Sequence, residues 1–309
     1  MNTVFIVNPE AGQGKNIQKL IDSIKSVSER LGVNTEIYIT KAVGDGQRFV
    51  RQYCENNGGA RFIACGGDGT LNEVLNGAIG FDDAQVGVVP IGTGNDFCRN
   101  FKGFADFKNI ERQILGDTVK CDAIKFTTEI DGESKSGYCA NMFNIGFDCN
   151  VADMTADMKR KPLIAGPFAY FVSIFISLVV KKCTGLKVEL DGKVVHNGPL
   201  LLTSIANGSF CGGGIMSNPL AEINDGLINI NIIKNISRLR FIGLLPHYMK
   251  GDFLKLKGIE KILSSVKCKS VKITPHSGTM RICNDGEITD AGATKFEIVP
   301  NIFNFILPR

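Results

Sequence analysis

Apolar residues change their period along this chain. "TVFIV" (3 to 7) is a short unbroken apolar run and predicts a buried strand, while from Ile17 the apolar positions 17, 20, 21, 24, 27 and 31 share one helical face. "TEIYIT" (35 to 40) predicts a second strand, residues 45 to 57 a helix, "RFIAC" (61 to 65) a third strand and "QVGVVP" (85 to 90) a fourth. Strands alternating with helices predict a doubly wound parallel sheet covered on both sides, with ligands bound at the carboxyl ends of its strands. Beyond about residue 125 the pattern turns β-rich. "GLKVELDGKVV" (185 to 195) carries Asp-Gly at a hairpin turn, "GLININII" (226 to 233) alternates, and "SVKITP" and "TMRICNDGEIT" are expected to pair with each other. An antiparallel second domain follows.

Three of the predicted parallel strands end in loops of unusual composition. "ACGGDGTLNEVLNG" (64 to 77) packs four glycines and the acids Asp68 and Glu73 around one threonine; Thr70 and Glu73 have the spacing of a capping box that would start a helix. A bare loop between a strand end and a helix start offers free backbone N–H groups to an anion, so a phosphate cradle is expected. "IVNPEAGQGKN" (6 to 16) and "VVPIGTGNDFCRN" (88 to 100) repeat the design. None is a standard nucleotide signature: Pro9 stands where a P-loop needs glycine, Asn16 replaces its Ser/Thr, and G-x-G-x-x-G is absent from all three. Three unrelated glycine turns would be the plain alternative, strained by their common place in one sheet.

Composition narrows the setting. At 309 residues the chain is long enough for two domains, and 44% hydrophobic against 21% charged residues describes a globular protein. The ten cysteines form no C-x-x-C pair and the N-terminus lacks the layout of a signal peptide, so free thiols in a reducing cytoplasm are expected. A net charge of +4 conceals an asymmetry: Lys234 to Lys272 holds ten Lys and Arg against two acids. Such a face suits nucleic acid, an anionic membrane or plain solvent, and no aromatic-interleaved nucleic-acid motif accompanies it, so no nucleic-acid partner is expected. The three histidines have no metal-ligand spacing.

GGDGTLNEV together with NPEAG and GTGNDF resembles the diacylglycerol kinase catalytic domain family, in particular its soluble bacterial lipid kinases, over nearly the whole chain. NAD kinases and sphingosine kinases share GGDGT, whereas GTGNDF and the later NDGE single out the lipid kinase branch. The resemblance implies an NAD kinase-like α/β domain over 1–125, completed by 298–309, and a β-sandwich over 126–297 that receives a lipid. It further implies that ATP contacts Asn8, Pro9, Glu10, Ala11, Gly12, Thr40, Gly66, Gly67, Asp68, Gly69, Thr70, Leu71, Asn72 and Thr93. Asp68 and Asp96 are acceptors only and would repel phosphate without Mg²⁺ between, and Asp122 in "KCDAIK" resembles the acid that completes the network around that ion. Glu287 in "CNDGE" matches the family's proton acceptor, a role a lipid hydroxyl requires because it does not lose its proton unaided. Without the family, Glu287 reads as an exposed carboxylate after a turn, and Asp285 as a turn residue. Glu222, Asp225 and the carbonyl of Leu227 match a structural Mg²⁺ site.

The resulting expectation is a cytoplasmic lipid kinase, peripherally attached to an anionic membrane, that moves the γ-phosphate of ATP to a diacylglycerol-like lipid. Phosphatidylglycerol, a sphingoid base and NAD are alternative acceptors, and a nucleotide-binding regulator without turnover is the alternative from another class. The uncharged stretch "PLIAGPFAYFVSIFISLVV" (162 to 180), flanked by lysines and arginine, is read as a buried or membrane-facing helix rather than a span, because two prolines and a glycine interrupt it. An unpaired sheet edge in either domain would support a homodimer.

Overall fold

Four of the predicted strands form as read: β1 (Thr3–Val7), β2 (Thr35–Ile39), β3 (Arg61–Gly66) and β4 (Gln85–Pro90). They pair in parallel in the order β2-β1-β3-β4. The computed structural model describes residues 1–14, 16–130, 132–146, 183–285 and 287–309; the apolar stretch 162–180 lies outside them. Every residue of β1 is buried, which is how a strand covered on both faces differs from a half-solvated one. Alternation divides its side chains between two layers. Phe5 and Val7, with Ile63 and Cys65, meet α1 (Ile17–Leu31) and α4 (Ile110–Leu115), whereas Ile6 lies against Gly46 of α2 (Asp45–Asn57). α2 packs in turn on α3 (Asp68–Ala78). The strand β15 (Thr294–Leu307) adds the last parallel member, Asn304 and Phe305 pairing with Gln85 and Val86 of β4.

α3 begins differently from the capping-box expectation. Gly67 is its N-cap and no side chain caps it; Thr70 lies inside the first turn, where its Oγ1 accepts from Asn8 Nδ2 at 3.2 Å. Glu73 turns to the neighbouring helix instead, accepting the N–H groups of Gly44 (2.7 Å) and Gly46 (3.0 Å) at the start of α2. A carboxylate at a helix N-terminus satisfies donors that the helix cannot, and opposes the positive end of its dipole. Glu73→Ala is therefore expected to destabilise the protein by about 1–2 kcal/mol, in the range of a lost N-cap, with Glu73→Gln recovering part of the loss; thermal unfolding of the two variants measures it.

The β-rich part is a sandwich of two antiparallel sheets that share one long strand, β9 (Lys193–Ala206). Its C-terminal half lies between β7 (Met142–Gly146) and β10 (Ile228–Lys234). β13 (Met280–Asn284) and β14 (Glu287–Ala291) extend this sheet beyond β7, and β11 (Leu263–Cys268) extends it beyond β10. The N-terminal half of β9 pairs with β8 (Thr184–Leu190), which pairs with β12 (Ser270–Pro275) and then β15, β5 (Asp117–Ile130) and β6 (Glu133–Cys139). Phe143, Ile205, Ile230 and Ile282 from one sheet and Val188, Val271, Ile273 and Phe296 from the other form a single apolar core.

The hairpin at Asp191-Gly192 is present, both residues having positive φ (46° and 81°) as a two-residue turn between right-twisted strands demands. One pairing differs from the sequence reading. "SVKITP" does not pair with "TMRICN"; the former joins β8 and β15, the latter β7 and β14. Adjacent β segments need not be hydrogen-bonded, and here the two lie in different sheets of the sandwich. The alternation in "GLININII" also has an outcome other than a wet face: Asn229 and Asn231 are buried beneath the segment that carries Ser217 and Asn218, which hold them through Asn218 Nδ2 to Asn229 Oδ1 (3.1 Å) and Asn231 Nδ2 to the Ser217 carbonyl (2.7 Å).

Helix α5 (Arg238–Lys250) closes the outer face of β9, β10 and β11 through Phe241, Leu244 and Tyr248. By contacts the chain divides into two units, Met1–Ala123 with Ile223–Asp225 and Val299–Arg309, and Ile124–Glu222 with Gly226–Ile298. Among the described residues, no helix is long and apolar enough to cross a membrane. Seven of the nine described cysteines are buried.

Candidate active site

The three glycine-bearing loops meet at the carboxyl ends of β1, β3 and β4. Asn8, the first residue beyond β1, fastens two of them. Its Oδ1 accepts the Glu10 N–H at 3.0 Å, which bends the Asn-Pro-Glu turn, while its Nδ2 donates to Thr70. The Ile91 and Gly92 N–H groups donate to the Gly66 carbonyl at 3.0 and 3.1 Å and bring in the third loop. Two glycines are required by this closeness. Gly12 has φ +62° and any Cβ on it would lie 2.9 Å from the Ile91 carbonyl oxygen; a Cβ on Gly92 would lie 2.5 Å from the Gly67 Cα. Gly92→Ala must push backbone against backbone, so an overpacking cost of about 1–3 kcal/mol is expected together with weakened nucleotide binding, to be read by thermal unfolding and by ATP titration.

Asp68, the first residue of α3, reaches the third loop. Its Oδ1 accepts the N–H groups of Asp96 (2.8 Å) and Phe97 (3.2 Å). A Cβ on Gly94 would lie 2.9 Å from Asp68 Oδ2 and 3.3 Å from Asp96 Oδ2, so the second oxygens of the two carboxylates face a common point. Burial raises the Asp68 pKa against the opposing pull of the backbone N–H bonds. Two acids converging in a glycine-lined loop are a poor arrangement for themselves and a good one for a hard divalent cation, which oxygen ligands suit. Arg99 partly offsets the charge: its Nε is 3.5 Å from Asp96 Oδ1, its NH2 donates to the Gly94 carbonyl at 3.2 Å, and its guanidinium lies over the Phe104 ring.

The remaining expected residues are distributed as follows. Thr40, at the end of β2, donates its N–H to the Val7 carbonyl at 2.9 Å and is buried; Thr93 is exposed at the third loop. Pro9, Ala11, Gly66, Gly67, Gly69 and Asn72 line the first two loops and the start of α3. Leu71 differs: its side chain is buried and its N–H is bonded to the Gly67 carbonyl, so it builds the helix and has little to offer a nucleotide. Asp122 is buried, accepts the Asn301 N–H at 2.7 Å and donates its own N–H to the Ile223 carbonyl, tying β5 to β15.

In the second unit Glu287 is exposed at the start of β14, paired across the hairpin with Asn284. Asp285 does more than turn the chain. With φ 44°, it accepts the Met142 N–H at 3.1 Å and the Cys139 thiol at 3.2 Å, and its charge helps burial push that thiol up. The hairpin that carries Glu287 is thereby pinned to β6 and β7. Glu222 accepts from Lys267 Nζ at 2.7 Å, so a cation there competes with a lysine; Asp225 and Leu227 flank Gly226, a residue of positive φ. Among the described residues no three His, Cys, Asp or Glu side chains gather closely enough to hold a metal by themselves. The role of Arg99, within the third loop itself, was not singled out in the sequence, and Glu73 carried a capping-box spacing but serves Gly44 and Gly46 at the start of α2.

A parallel α/β layer with glycine-bearing loops at its strand ends, together with an antiparallel sandwich, defines an NAD kinase-like fold. Residues 2–126 match the family described as diacylglycerol kinase catalytic domain, and residues 141–307 that described as YegS C-terminal NAD kinase beta sandwich-like domain. A diacylglycerol kinase of Staphylococcus aureus (strain MRSA252) is 31% identical over 255 residues, 81% of this chain and 76% of the relative. Among solved structures, a diacylglycerol kinase from Bacillus anthracis str. Sterne superposes with a TM-score of 0.66 at 20% identity, over 99% of this chain and 96% of that one. Yeast NADH kinase in complex with NADH shares the fold at a TM-score of 0.51 and 12% identity, over 99% and 82% of the respective chains. The chain belongs to the diacylglycerol kinase family of lipid kinases.

Proposed function

We propose that this protein transfers the γ-phosphate of ATP to the hydroxyl of a diacylglycerol-like lipid, giving phosphatidic acid and ADP. The observation that carries the reading is the convergence of Asp68 Oδ2 and Asp96 Oδ2 beside Gly94 at the mouth of the glycine cradle. Phosphate oxygens are held by the orphan N–H groups at the start of α3 and by the loops that Asn8 joins to it. Mg²⁺ fits the two carboxylates and, when bound, would neutralise phosphate charge there. Glu287 accepts the hydroxyl proton as the lipid oxygen forms its bond to the γ-phosphorus and the bond to the β,γ-bridging oxygen breaks. Glu222, Asp225 and the Leu227 carbonyl are proposed as a second, structural Mg²⁺ site.

The test is phosphate transfer from labelled ATP in the presence of Mg²⁺ to diacylglycerol, phosphatidylglycerol and sphingoid bases in mixed micelles, with NAD as the soluble control. Labelled phosphatidic acid is the expected product. Label only in NAD, or in no acceptor, would overturn the function and leave the fold as it is.

A further inference from the structure

Helix α5 is apolar on both of its sides. Phe241, Leu244 and Tyr248 recur at helical spacing and are buried against the sandwich. The opposite stripe, Leu239, Ile242, Gly243 and Pro246, faces out, Leu239 being 84% and Ile242 49% exposed. A helix packed on a core by one side ordinarily turns charged residues to the other; one that is apolar all round needs a second apolar surrounding. At about 100° per residue Arg238 and Arg240 fall on the two shoulders of the exposed stripe and Lys250 continues it. All three are exposed, as are Lys255, Lys257 and Lys261 in the turns that follow. Asp252 and Glu260 are the only acids between Lys234 and Lys272, and Asp252 is paired with His247. In sequence the basic residues alternate with Phe241, Leu244, Leu245, Phe253 and Leu254, a pattern that suits a membrane interface; of these Phe241, Leu244 and Phe253 are in the core, Leu245 and Leu254 are half-buried, and the exposed apolar residues are others.

We propose that this face docks on an anionic lipid surface, Leu239 and Ile242 entering the acyl boundary while Arg238, Arg240 and Lys250 meet lipid phosphates. An apolar strip with basic shoulders is the arrangement by which a helix lies in a membrane interface. The inference deepens the lipid kinase reading by naming how the enzyme reaches an insoluble acceptor, but its test needs no turnover.

The full chain is sedimented, without nucleotide, with vesicles of phosphatidylcholine alone and with vesicles in which part is replaced by phosphatidylglycerol. Binding is expected only to the anionic vesicles, and to weaken with salt. Leu239→Asp with Ile242→Asp should lower it by roughly tenfold or more, and Arg238→Glu with Arg240→Glu by at least about fivefold per position. Both apolar positions are solvent-exposed, so an unchanged unfolding temperature serves as the folding control; the milder Leu239→Ala with Ile242→Ala pair should weaken binding in the same direction. Equal sedimentation with both vesicle types, none with either, or wild-type binding by the Asp pair overturns the proposal. Self-association that the Asp pair abolishes, with vesicle binding unaltered, assigns the face to a second copy of the chain. Phosphorylation of detergent-dispersed diacylglycerol, measured separately, decides the kinase reading whichever way the vesicles fall.

Discussion

Glu287→Gln is expected to leave ATP binding near the wild-type level and to lower phosphate transfer by about 10²–10⁴-fold, the range for loss of a general base. The substitution preserves the shape of the side chain and removes its ability to take a proton. Because Glu287 is exposed at the first position of β14, no core packing changes with it. A matched fall in kcat and kcat/KM, with unchanged thermal unfolding, is the signature of a group acting only in the transition state. Retention of most activity would remove Glu287 from the chemistry.

Asp68→Asn is expected to act in two opposite directions. Activity should fall by about 10²–10³-fold or more, the scale of losing one preorganised electrostatic group. The free protein should nonetheless unfold at a higher temperature than wild type at neutral pH. An asparagine Oδ1 can keep both bonds from the Asp96 and Phe97 N–H groups, and the charge facing Asp96 is gone. The pH dependence fixes the sign. Burial raises the folded pKa of Asp68, so the folded state binds more protons than the unfolded one between the ordinary carboxylate value and the raised one. Wild type therefore loses stability as pH rises through that window, and the variant lacks this loss: the two should be close in acid and diverge above it. Mg²⁺ with ATP should raise the unfolding temperature of wild type and do so much less for the variant. A variant that unfolds earlier than wild type at every pH would show that Asp68 is held for the fold and not against it.

The parallel sheet was readable in the sequence because its strands are continuous apolar runs bounded by helices of clear period, a local signal. The glycine loops were readable for a similar reason: three strand ends carried too many glycines for turns alone. What escaped depended on contacts far apart in sequence. Glu73 had the spacing to cap its own helix, yet its carboxylate serves the N-terminus of α2, a choice made by the packing of α2 on α3. The strands at 270–275 and 280–284 were joined by proximity in sequence, whereas a sandwich assigns neighbours by sheet. Asp285 looked like a turn residue and is one, but its anchoring of β6 and β7 emerges only when Cys139 and Met142 come alongside. The Asp68 and Asp96 pair stands between these cases: the residue types were visible, their convergence on Gly94 was not.

Phe305, on the strand that completes the first sheet, stacks edge-on against Phe97 with ring centres 4.9 Å apart and packs on Phe101 and Phe107. Phe97 follows Asp96 directly. During synthesis on the ribosome, a nascent chain that has already exposed its three phosphate loops still lacks the aromatic wedge that seats one of them, because that wedge is made some two hundred residues later. The loop that carries Asp96 is expected to settle only once β15 has emerged, and a growing chain stalled before residue 303 should hold nucleotide poorly even with all of its loop residues translated.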